Sequence, residues 1–148
     1  MSVTMFKANG PVHIEFYSKT ASTLFTFNEP VALDTTGTLI PYTPGIAAPF
    51  LGLIKKAVVA TDSDYASATR VPVEVGNYDT EYLITATTTG AAATDVGEEV
   101  DYVEATISVN VGSSSVDDFF VTQVLSSTLV VGKWMRRVAS QNLNTAFV

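Results

Sequence analysis

An all-β fold, a compact sandwich or barrel of short strands with little helix, follows from three features of the sequence. Apolar residues recur with period two, as at Val71, Val73 and Val75 and again at Ile107, Val109 and Val111, the spacing that lines one face of a strand. Turn residues separate these runs at short intervals: Asn9-Gly10-Pro11, Asp34 to Gly37, Pro44-Gly45, Gly76-Asn77, Thr89-Gly90, Val96-Gly97 and Gly112 to Ser115. Helical signals are weak. Ala57 to Ala68 reads as a short helix or a long loop, and Val116 to Asp118 could begin one turn.

In chain order, residues 1–12 lack periodicity and are expected to form an N-terminal arm before a single β domain over 13–148. Strands are expected at His13 to Tyr17, Leu24 to Phe27, Pro30 to Leu33 and Phe50 to Ile54, all rich in residues that fit a pleated surface. Val71 to Val75 is the clearest alternation, and Pro72 within it predicts an edge strand because proline has no N–H for a ladder. Glu81 to Thr87 follows, then Thr87 to Thr94, small and polar, as an exposed loop. Ile107 to Val111, Phe119 to Leu125 and Ser127 to Val131 complete the set. No strict internal repeat is present.

At 148 residues the chain fits one domain burying about 70% of its unfolded surface. Charged residues make up 16% of it, against roughly 25% in soluble domains, so part of the surface is expected to be covered by partners. The net charge of -7 argues against the phosphate backbone as a ligand, and no nucleic-acid partner is expected. Acids crowd the stretch from Asp62 to Asp118, whereas Lys133, Arg136 and Arg137 stand in a tail without acids, a distribution that can dock on a differently charged neighbour. There is no cysteine, which excludes disulfides and thiolate zinc sites. Neither a signal-peptide core nor an apolar run of about 18 residues is present, so synthesis in the cytoplasm and no membrane partner are expected.

Catalytic chemistry is sought in vain. His13 is the sole histidine, placed in a strand with no orienting acid or singular nucleophile, so it reads as a surface residue. Asp95, Glu98, Glu99 and Asp101 surround Gly97, the ligand type for calcium, but the alternating oxygen pattern closed by a glutamate is missing. No glycine-rich nucleotide motif occurs. The expectation is a protein without enzymatic activity, cofactor or required metal.

One block has a recognisable phrasing: Pro30-Val31-Ala32-Leu33-Asp34-Thr35-Thr36-Gly37-Thr38-Leu39-Ile40-Pro41, then Leu51-Gly52-Leu53, then Val71-Pro72-Val73, with Val96 to Tyr102 and Phe119-Phe120-Val121 later. In order and wording it resembles the head decoration, or capsid cement, proteins of tailed bacteriophages. The resemblance implies a small β-rich fold, commonly trimeric, on the outer face of the assembled capsid, where it braces junctions between subunits of the major capsid protein. It therefore implies a virion location. Other readings are a different virion β module, from the tail or head completion, and a carbohydrate-binding β-sandwich. The long loop from Ala57 to Arg70 and the aromatic N-terminal segment depart from the family phrasing. Large side chains near the two ends, where chains ordinarily fray, point to partner contacts through Met5, Phe6, Lys7, Lys133, Trp134, Arg136 and Arg137. Trp134 has an equal claim to end a core strand.

Overall fold

The computed structural model describes residues 5–44, 48–77, 79–87 and 90–135. Among these residues eleven strands run in the order β1 (Phe6–Asn9), β2 (Val12–Ser18), β3 (Pro30–Leu33), β4 (Leu39–Pro41), β5 (Phe50–Ile54), β6 (Arg70–Gly76), β7 (Glu81–Ala86), β8 (Glu99–Val103), β9 (Ser108–Asn110), β10 (Phe119–Ser126) and β11 (Leu129–Trp134). Among the described residues helix is confined to two single 3-10 turns, Ala93–Asp95 and Glu104–Thr106. The all-β expectation holds.

Five strands close on themselves. β7, β11, β10, β8 and β9 pair antiparallel in that order, and a parallel pairing of Thr85 and Ala86 with Ser108 and Val109 returns β9 to β7. Alternation then aims Tyr82, Ile84, Val100, Tyr102, Phe119, Val121, Val130 and Trp134 inward, all at most 2% exposed. Gly132 interrupts the inward row of β11 because a Cβ there would strike the Phe119 ring and the Phe120 carbonyl. β1 lies against β7 next to the barrel, with Phe6 opposite Leu83.

The other sheet is open along most of its length, in the order β2-β6-β5-β3-β4, with one parallel bridge from Lys19, just after β2, to Leu39 of β4. Its middle strand β5 is buried throughout, and the register explains how. Ala32 faces Phe50 while Val31 faces Gly52, so Leu51 is the extra residue of a bulge. Phe50 and Leu53 join the barrel core, and Leu51 and Ile54 join a second cluster with Phe25, Val31, Leu39, Val58, Val71, Val73 and Val75. A strand buried on both faces needs a continuous apolar run, which is what Phe50 to Ile54 supplies.

That second cluster is covered by the loops at 19–29 and 55–69, pinned by an unexpected residue. Lys19 is fully buried, and its ammonium donates to the carbonyls of Asp64 (2.9 Å), Tyr65 (3.4 Å) and Ser67 (2.5 Å). Three backbone acceptors compensate the buried charge and hold the long loop in place. Lys19→Met should therefore remove the ammonium from three carbonyls, of which those of Asp64 and Tyr65 keep N–H donors from Ser67 and Ser22, and destabilise the fold by about 2 kcal/mol. The checks are a lower urea midpoint and faster amide exchange over 62–69.

Several expectations change. Pro72 lies in an inner strand, not at an edge: β6 pairs with β2 on one side and β5 on the other. The Pro72 carbonyl accepts from the Lys55 N–H at 2.9 Å, so the polar groups of Pro72 face β5 where that strand has just ended at Ile54. The missing N–H falls beyond the ladder, and the β2 side is unbroken. Leu24 to Phe27 is no strand; it makes one isolated bridge, Phe25 with Val58. β9 spans only Ser108–Asn110 because the preceding 3-10 turn leaves Ile107 left-handed, at φ 48°. β1, β4 and β8 are additional strands, and Ala57 to Ala68 is loop. Of the expected arm, Met5 sits in the barrel core, Phe6–Asn9 is β1, and residues 1–4 lie outside the described residues.

Candidate functional site

Backbone and side chains are most open at the N-terminal strands. Every residue of β1 is exposed, as are His13, Ile14, Glu15 and Phe16 of β2, because each strand has a neighbour on one side only. Phe6 is 43% exposed, Ile14 52% and Phe16 53%, which is high for large apolar side chains on two adjoining strands. On the other face of β2, His13 Nε2 lies 3.3 Å from Glu15 Oε1, and the Tyr17 hydroxyl donates to Glu15 Oε2 at 2.6 Å. That bond, assisted by His13, holds the Glu15 carboxyl below its usual range against slight burial. Burial and the same bond push the Tyr17 hydroxyl up to about 12.

The residues expected at a partner surface separate into three groups. Phe6 and Lys7 are exposed on β1, and Lys133 is half-buried on β11. Met5 and Trp134 are core residues, 0% and 2% exposed, so they cannot touch a partner in this fold. The reason for Trp134 is the inward register of β11, which sets its ring parallel to Phe50 at 4.5 Å and edge-on to Tyr42, Tyr102 and Phe119. Arg136 and Arg137 lie outside the described residues.

Two of the carboxylates around Gly97, those of Asp95 and Asp101, are bound up by the chain. Asp95 accepts from the Ala92 N–H at 2.7 Å. Asp101 is the organiser of the loop between β9 and β10: it accepts from the hydroxyls of Ser113 (2.5 Å) and Ser115 (2.7 Å) and from the N–H groups of Ser115 (3.1 Å), Val116 (2.7 Å) and Asp117 (3.0 Å). Partial burial raises its pKa, but these donors outweigh it and hold the carboxyl far below the usual carboxylate range. Because the folded value is depressed, this contribution to stability is present above the unfolded value near 4 and is lost progressively as pH falls from there toward the folded value. Asp101→Asn should cost about 2 kcal/mol at pH 7, and the difference between variant and parent should shrink in urea titrations toward pH 3. Among the described residues no group of three His, Cys, Asp or Glu side chains could hold a metal ion.

A cleft of about 370 Å³ is lined by Thr26, Glu29, Glu104, Ala105 and Ile107. It was not anticipated, because its two carboxylates come from segments 75 residues apart with no local motif. Glu29 Oε1 accepts the Thr26 N–H at 2.8 Å. Burial pushes the Glu29 carboxyl up against that bond, with a further push from the charge of Glu104. Burial, joined by both these charges, also raises the Tyr102 hydroxyl. The arrangement offers negative charge to a cation, and the lining holds no aromatic platform for a sugar.

No family model matches the sequence, and comparisons with curated proteins and with solved structures return no match.

Proposed function

We propose that this protein is a capsid decoration protein, which binds the outer surface of an assembled tailed-phage head, as a homotrimer, at junctions between major capsid protein subunits. The observation that carries the reading is the pair of exposed N-terminal strands on a fold whose remaining strands are largely internal. Open strand edges with apolar side chains suit attachment by strand addition and buried interface, and many symmetric copies add through avidity. The turn-and-strand phrasing from Pro30 to Val73 supports the same reading. Its turns are built as that phrasing requires, with Asp34 Oδ1 accepting from the N–H groups of Thr36 and Thr38, both at 2.9 Å, and Gly37 at φ 80°.

On this reading the shell-binding side chains are Phe6 and Lys7 on β1, and Met5 and Trp134 serve the fold. The test is co-sedimentation with heads stripped of their decoration protein. Phe6→Asp with Lys7→Glu should reduce binding about tenfold or more, since burial of one phenylalanine is worth roughly 1.5–3 kcal/mol, while the urea midpoint stays close to the parent's. Parent-like binding of that variant would place the contact elsewhere. Parent protein that never sediments with heads, or that is retained by a glycan column, would contradict the reading.

A further inference from the structure

We propose that the free edge of β2 pairs antiparallel with the β2 edge of a second copy of this chain, about a two-fold axis at Ile14. β2 ends its sheet and pairs with β6 along its length; just beyond it Lys19 bridges Leu39 of β4, with the Thr20 N–H donating to the Leu39 carbonyl at 3.0 Å, so the free edge runs from Val12 to Phe16. Lys19 N–H donates to the Thr69 carbonyl at 2.9 Å, and Pro72, which faces β5, stands opposite Phe16. Residues alternate along a strand. The odd positions of β2 therefore bond to β6, and the N–H and C=O groups of Val12, Ile14 and Phe16 point away from the molecule. The Arg70 guanidinium donates to the Phe16 carbonyl at 2.9 Å and leaves that oxygen a second lone pair.

The side chains select both the partner and the register. With the axis at Ile14, Ile14 meets its own copy, Val12 meets Phe16, and His13 stands opposite Glu15 twice. The two His13–Glu15 pairs fall at non-bonded positions, where Cα atoms approach to about 4.5 Å and side chains interact most closely. An imidazole then faces a carboxylate across the axis, as it already does within the strand at 3.3 Å. Moving the axis to Glu15 would oppose two carboxylates. At His13 it would set Phe16 against Gly10, and at Phe16 it would set Ile14 against Ser18. Complementary charge and apolar matching thus coincide in one register, and only a second copy supplies it. The contact is compatible with a trimer, because a surface lattice contains two-fold as well as three-fold axes. It does not rest on the capsid reading, since purified protein alone reports it.

The chain has no cysteine, so single-cysteine variants give a clean test. Hydrogen-bonded partners lie about 5.5 Å apart at Cα, within disulfide reach. Ile14→Cys should oxidise to a covalent species of twice the 15.7 kDa chain, and a mixture of His13→Cys with Glu15→Cys should form mainly the mixed disulfide. Sedimentation should show the parent associating as concentration rises, and Ile14→Lys, which places two ammoniums at the axis, should abolish this without lowering the urea midpoint. A parent that stays monomeric to its solubility limit would overturn the proposal. So would Ile14→Lys associating like the parent, or His13→Cys and Glu15→Cys each preferring its own kind.

Discussion

Replacing Trp134 by alanine is expected to lower the unfolding free energy by about 3–5 kcal/mol, the range for removing a large buried aromatic. Trp134 joins the two sheets. Its ring stacks on Phe50 of the open sheet at 4.5 Å and meets Tyr42 at 5.0 Å, Tyr102 at 5.1 Å and Phe119 at 5.5 Å. The substitution removes contacts from both sides of the core at once. Edge-on aromatic pairs contribute about 0.5–1.5 kcal/mol each beyond area burial, so collapse around the cavity cannot recover them. Domains of this kind have roughly 5–15 kcal/mol in total, and the variant should melt about 10 °C or more below the parent. Calorimetry checks this, with Phe6→Ala as the exposed control expected within about 1 kcal/mol of the parent. A parent-like melting temperature for Trp134→Ala would return that residue to the surface role considered from sequence.

Asp118→Ala should be nearly as damaging, at about 3 kcal/mol. Asp118 is fully buried and accepts from the Tyr42 hydroxyl at 2.6 Å and from the Tyr102 N–H at 3.1 Å. Tyr42 follows β4 of the open sheet, whereas Tyr102 and Asp118 belong to the barrel side. One carboxylate thereby fixes the angle between the two sheets. Alanine removes the acceptor shared by two buried donors, which is costlier than losing one bond. Asp118→Asn keeps a carbonyl oxygen for one donor and should lose about half as much. Equal losses for the two variants in urea unfolding would show that packing, not the hydrogen bonds, is what Asp118 supplies.

Strands with a plain inside and outside were legible before the structure. Val71, Val73 and Val75 are buried between half-buried Pro72 and Glu74, as their alternation requires. Strand order was not legible, since it depends on pairings between distant segments such as β1 with β7 and β7 with β9. Pro72 misled because its consequence depends on which neighbour its nitrogen faces, and composition does not encode that. Lys19 and Asp118 were invisible for a related reason: a buried charge is recognisable only once its partners, 16 to 76 residues away, have been brought to it. Trp134 shows the limit at the other end. An aromatic beside basic residues reads equally well as an interface anchor or a strand end, and only the register of β11 decides.

The surface role rests on the openness of β1 and β2 and on the phrasing from Pro30 to Val73, and its most direct test is stoichiometry in the particle. Quantitative mass spectrometry of purified virions made with this protein should find it at a copy number comparable to that of the shell subunit. A few copies per particle would assign it to a tail or head-completion structure, and its absence from the particle would contradict the account.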